Sequence, residues 1–304
     1  MKLWDKIWAF IGLQDINDSE QFEVAEDNRN FFERMESEID FDKEYYKIED
    51  LMTKGGRYEY QYSIEYQIRE YFLRWDKRDT YTSFEELRDS LGFPLIWTED
   101  GYKPTASGLK LNDYLVYCEM VINLIGFLKR VCRKPNDEDG AEAVIETIGR
   151  NLSKLGMRFH VDDNARAIIV QNSPEANRVA EILKKNISNA VIEYNHHLLK
   201  GNIEKKQTLL KVLADDLESR RKELKNAGFT RESDLFFLFN KMSIRHNNVD
   251  PTSGAYQEEV AKLSKKELEY WYDETYQLAL YAYLFLDNIE RGKRINALKQ
   301  TIGG

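Results

Sequence analysis

The chain has 304 residues, of which 42% are hydrophobic and 12% aromatic, enough for one large domain or two ordinary ones with a true core. Its net charge of −9 is uneven: residues 1–174 hold 34 Asp+Glu against 23 Lys+Arg, and residues 175–304 hold 19 against 21. So acidic a first half excludes a protein that wraps nucleic acid along its whole length, and leaves a local phosphate-binding patch open only in the second half.

With 5 prolines and 16 glycines, long helices are favoured over a many-turned sandwich, so the expected class is mainly α. At the start, MKLWDKIWAFIGL lacks the pattern of a signal peptide, because Asp5 and Lys6 interrupt its apolar run. Residues 2–12 read as an amphipathic helix docked on the same protein rather than on a membrane, and residues 14–26 as an acidic link. A helical pattern from Asn28 fades over the acidic stretch 40–50, and Gly55-Gly56 resets the chain.

The run from Tyr58 to Trp75 alternates at first as a strand would, but its length and its Glu, Gln and Arg content favour helix. A shorter helix follows, capped by Thr82 or Ser83 and ended by Gly92. Residues 93–102 are a candidate wing of a small winged-helix-like tandem, for which packing rather than DNA binding is expected. Leu109 to Val131 is long and apolar, yet Glu119, Asn123 and Lys129 mark it as a buried helix rather than a membrane span.

Cys118 and Cys132, fourteen residues apart on that helix, are separated by about 21 Å, beyond disulfide reach. Unpaired cysteines fit a cytoplasmic protein. After a polar break at 135–140, a helix over 141–155 leads into a β-hairpin near 157–170 that turns at Asp162–Ala165. His160 lies inside it with no second ligand at metal-binding spacing.

Ser173-Pro174 opens a different regime, so the expected division is a helical N-terminal region over 1–172, with one short hairpin, and a four-helix bundle over 173–304. The first bundle helix carries Val179, Leu183, Ile187, Val191, Tyr194 and Leu198 on one stripe and ends at Gly201. The second runs from Asn202 to Asn226, the third starts after Thr230 or Ser233, and the fourth starts after Ser264. Short connections imply antiparallel neighbours.

The third helix, LFFLFNKMSIRHNNVD from Leu235 to Asp250, buries Leu235, Leu238, Phe239 and Met242 and then breaks into polar residues. Asn247-Asn248 and Asp250-Pro251 are the expected helix stop, with Arg245 and His246 at its end. One reading of Arg245 is a cation favourably placed against the helix dipole. His196 and His197 are expected on the first bundle helix, where adjacent side chains diverge by about 100° and do not chelate one metal easily, so no metal site and no cofactor are expected. Phosphate loops, dinucleotide fingerprints, HExxH and nucleophile elbows are missing from the sequence.

Four helices with an Arg-led polar motif after the third resemble the HEPN superfamily, and more narrowly the C-terminal domains of abortive-infection proteins, over residues 175–299. Many members are metal-independent ribonucleases of phage-defence and toxin–antitoxin systems, with an arginine, a polar residue and then a histidine a few positions on. Arg245 matches the arginine and His246 the polar position, but the place of the final histidine falls at 250–252, where none stands.

The resemblance implies Arg245 as phosphate clamp and His246 as acid or base. Asn240, Asn247, Asn248 and Asp250 would orient the substrate, joined by His196 or His197. It also implies a homodimer, with RNA or an antitoxin-like protein as partner. Three readings follow: a ribonuclease effector, a catalytically degenerate HEPN-like module that binds RNA, nucleotide or a partner, and an all-α interaction protein.

Overall fold

A computed structural model describes residues 39–54, 63–99, 101–132 and 138–303. The expected helix over 2–12, the link over 14–26 and the alternating stretch at 57–62 lie outside the described residues. Asp40 opens helix α1 (Phe41–Thr53) by accepting the Lys43 N–H at 3.0 Å, and Asp42 and Glu44 occupy its first turn. The acidic stretch expected to end a helix therefore begins one, because carboxylates are favourable at the positive end of the helix dipole.

Ser63 caps α2 (Ile64–Tyr71) and Ser83 caps α3 (Phe84–Ser90). At α3 both suggested residues act: Ser83 Oγ accepts the Glu86 N–H, and the Glu86 carboxylate accepts from the N–H and hydroxyl of Thr82. Gly92 ends the turn at φ +84°, a conformation open to glycine at no steric cost.

Strands β1 (Leu95–Thr98) and β2 (Gly101–Pro104) then pair antiparallel at the position of the candidate wing. Helix α4 (Leu111–Val131) and helix α5 (Glu138–Lys154) follow. Strands β3 (Met157–Val161) and β4 (Ala167–Gln171) form the second hairpin, with His160 opposite Ile168, and the Asp162 carboxylate ties the turn by accepting the N–H groups of Asn164 and Arg166. The described residues are thus mainly helical, with two small antiparallel hairpins.

A first hydrophobic cluster spans α1 to β4, from Tyr45 to Ile169, with α4 at its centre. Inside it lies a buried ion pair: Arg88 bonds Glu49 at 2.8 Å, the Tyr45 hydroxyl at 3.0 Å and the Phe93 carbonyl at 2.8 Å, while the Tyr117 hydroxyl donates to Glu49 at 2.6 Å. Burial and the Glu49 charge push the Tyr117 phenol well above its ordinary range. Each polar group here has a partner, which is the condition under which a buried pair is tolerated.

Ser173 caps α6 (Pro174–Ile182), with Pro174 in its first turn as the missing N–H allows. The chain breaks at Leu183 and Lys184, both extended, before α7 (Lys185–Glu193). The first expected bundle helix is therefore two short ones, and it ends at Glu193 rather than Gly201. Helix α8 (Ile203–Ser219) is separated by Arg220 from α9 (Arg221–Asn226). Next come α10 (Glu232–Lys241), α11 (Glu258–Ala261) and α12 (Lys265–Ile302), the last started by a Ser264–Glu267 capping box.

α8 packs against α7, α10 and α12, and α6 packs on α12. Their shared faces make a second cluster from Ala176 to Leu286. Fully buried leucines such as Leu210, Leu213 and Leu217 each contribute roughly 1.5–3 kcal/mol. The described residues from Asp40 onward form one compact unit.

Candidate functional site

Helix α10 stops at Lys241, before the polar residues expected to stop it. Ser243 takes the left-handed turn at φ +58°, and the Arg245 N–H returns to the Phe239 carbonyl at 3.0 Å. Asn248 makes this possible: its buried side chain accepts the Ser243 N–H at 2.9 Å and donates to the Ala255 carbonyl at 2.7 Å. Gln207 of α8 also donates to the Ser243 carbonyl. Ser243 thus does the conformational work that Asn247-Asn248 were expected to do, because a backbone amide turned the wrong way is held by a buried acceptor.

Arg245 and His246 lie in the loop beyond the helix rather than at its end. The Arg245 guanidinium is bonded to Glu218 at 2.8 Å and Asn240 at 3.2 Å, with Asp215 at 3.9 Å. His246 and Asn247 are exposed, Asn248 is buried in the turn, and Asp250 accepts from the N–H and hydroxyl of Thr252. Two of the expected substrate-binding residues, Asn248 and Asp250, therefore have their polar atoms engaged by the loop itself.

His196 and His197 stand elsewhere. They line a cleft with Lys206, near the start of α8, whereas Arg245 is held at Glu218, twelve residues and about 18 Å further along that helix. Nor are they on the α-helix expected to carry them. The Asn195 carbonyl accepts the Gln171 N–H at 2.9 Å and His196 pairs with Val170, so this stretch adds to the free edge of β4; a short 3-10 turn (His197–Leu199) follows. The two rings turn toward one another, centroids 4.8 Å apart, instead of diverging.

Both face Glu119 of α4. Its Oε2 lies 3.0 Å from His196 Nε2 and 3.5 Å from His197 Nε2, and it also accepts the Ile169 N–H at 2.9 Å. One turn on, Asn123 bonds both the N–H and the carbonyl of Ala167, at 2.9 and 2.8 Å. Glu119 and Asn123 together clamp β4 to α4, and β4 in turn positions the histidines. Burial pushes the Glu119 carboxyl up, but the neighbouring His196 and His197 imidazoles and the Ile169 N–H outweigh it and hold the group at about 2.

The His197 side chain is 1% exposed, and beyond the 3.5 Å approach to Glu119 neither ring nitrogen makes a hydrogen bond among the described residues. Beside Glu119 and His196 opens a cleft of about 480 Å³, lined also by Lys77, His160, Asp162, Arg166 and Glu193. Burial and the Arg158 charge lower the His160 pKa.

Glu119 is not among the site residues that the sequence leads one to expect. The available signal was a carboxylate four residues before an asparagine within an otherwise apolar helix, a pair that burial makes costly unless something pairs with it. Compared with protein-family models, curated proteins and solved structures, the chain gives no significant match.

Proposed function

We propose that residues 173–304 form a HEPN-like module that works by binding rather than by Arg–His ribonuclease chemistry, in a phage-defence or toxin-type effector. The observation that carries this reading is the Arg245–Glu218 bond at 2.8 Å, with Asp215 at 3.9 Å. A phosphate placed on this guanidinium meets two carboxylates, and no histidine stands in the family's later position. Arg245 is then a positioning residue that joins the loop to α8.

The partner is a second copy of this chain, as the resemblance implies. α10 and its loop expose Phe237 and Val249 together with His246 and Asn247, an apolar and polar mix suited to a protein contact. Sedimentation of the purified chain tests this, beside Phe237→Asp and Val249→Asp: a dimer that both variants split supports the reading, and a monomeric wild type sinks it. Incubation with total RNA and tRNA in EDTA tests the other half. Cleavage by wild type that is lost in Arg245→Ala and His246→Ala would restore the ribonuclease reading.

A further inference from the structure

Three donors of the types that bind transition metals converge where the two hydrophobic clusters meet. We propose that Glu119, His196 and His197 form a binding site for a divalent ion of the zinc class, with one coordination position open to the cleft beside α4 and β4.

Geometry comes first. The three ligand atoms all lie within 4.8 Å of one another. Ligands at about 2.0–2.2 Å from a tetrahedral zinc are roughly 3.3–3.6 Å apart. The Glu119–His197 distance of 3.5 Å falls within that range and the Glu119–His196 distance of 3.0 Å just below it. Two imidazoles and one carboxylate also make a donor set suited to zinc and unsuited to magnesium or calcium, which prefer all-oxygen shells.

Burial supplies an independent reason. The bond of 3.0 Å between Glu119 and His196 accounts for His196, whereas His197 stands 3.5 Å from the same oxygen without a well-formed hydrogen bond. Its side chain is 1% exposed and neither nitrogen makes a hydrogen bond among the described residues, and an imidazole buried in that state forfeits the hydrogen bonds it had in water. An ion between Glu119 and His197 replaces that long contact with a ligand bond to Nε2.

The surroundings are arranged before any ion binds. The Ile169 N–H fixes the Glu119 carboxylate, and the β4 edge fixes the His196 backbone. Such prior positioning lowers the entropy that a ligand must overcome. Three protein ligands with a fourth position facing a water-sized or larger space is the arrangement of an open site rather than a sealed structural one. The cleft of about 480 Å³ supplies that space. Because Glu119 comes from the first cluster and the histidines lead into the second, the ion would also staple the two together.

Full-length protein, stripped with a chelator and then titrated with Co²⁺, tests the site by the visible absorption that low-symmetry cobalt coordination produces. Zinc competition and thermal melts follow on the same samples. We expect one ion per chain, displacement of cobalt by zinc, and a melting temperature that rises on loading. Glu119→Gln and His197→Gln each weaken binding by more than roughly 100-fold, beyond the loss typical of removing a residue that only supports a ligand. His246→Ala, at the exposed histidine, leaves it unchanged.

Circular dichroism of each stripped variant checks the fold. Should Glu119→Gln fail to fold, His197→Gln and the exposed-histidine control still decide the matter. Absence of a cobalt band in the wild type, or binding that survives both ligand substitutions, overturns the proposal.

Discussion

Arg88 and Arg245 each bond a glutamate at 2.8 Å, yet the two pairs do different things. Arg88 and Glu49 are 0% and 3% exposed, whereas Arg245 and Glu218 are 24% and 36% exposed. Distance alone therefore says little about an ion pair; the medium around it decides. In the first cluster, removing one charge strands the other in a low dielectric. In the bundle, water screens whatever is left. The histidines divide in the same way: His246, beside the conspicuous arginine, is exposed, while His197 is sealed against a glutamate 78 residues earlier in the chain.

The largest effect expected is on the buried pair. Arg88→Met leaves Glu49 charged and unpaired and should cost about 3–5 kcal/mol in urea unfolding. A cost under about 1 kcal/mol would break the contrast with Arg245. Next is the metal staple: zinc at about 100 times its dissociation constant should stabilise the chain by about 2.7 kcal/mol, reversed by chelator and missing in His197→Gln.

Asn248→Ala should cost about 1–3 kcal/mol, because the Ser243 N–H and Ala255 carbonyl lose their partner within a buried turn. Arg245→Ala should cost less than about 1 kcal/mol, as expected of a partly exposed pair. A much larger loss would mean that Arg245 organises the bundle rather than its loop.

Smallest is Asp42, whose carboxylate accepts the N–H groups of Leu109 and Gly108 and so titrates below its ordinary value of 3.8. A carboxyl depressed in the folded state adds stability that is complete above 3.8 and is lost as pH falls through the folded value. A carboxyl NMR titration with a midpoint at or above 3.8 would contradict this.

Local chemistry was legible wherever it acts over a few residues. The caps at Ser83 and Ser264 and the turn of the hairpin over 157–170 follow from side chains that satisfy backbone groups two to four positions away, and the turn at Gly92 from glycine's freedom at positive φ. The apolar stripe of α10 declared its buried face through helical periodicity, with Leu235 and Phe239 fully buried. Two places depart from local preference. The break at Leu183–Lys184 interrupts an unbroken stripe, and Ser243 adopts a left-handed turn because Asn248 and Gln207 hold it there.

Neighbouring residues alone fix a mainly helical protein, the starts of α3, α6, α8 and α12 and the buried stripe of α10, since periodicity and capping are local properties. Only the tertiary structure decided that Arg245 would be neutralised by Glu218, that Arg88 and Glu49 would meet inside a core, and that Glu119 would face two histidines turned off their expected helix by the edge of β4. Those pairings join residues 27, 39 and 77 or 78 positions apart, and separations of that kind are set by how elements pack rather than by any local pattern.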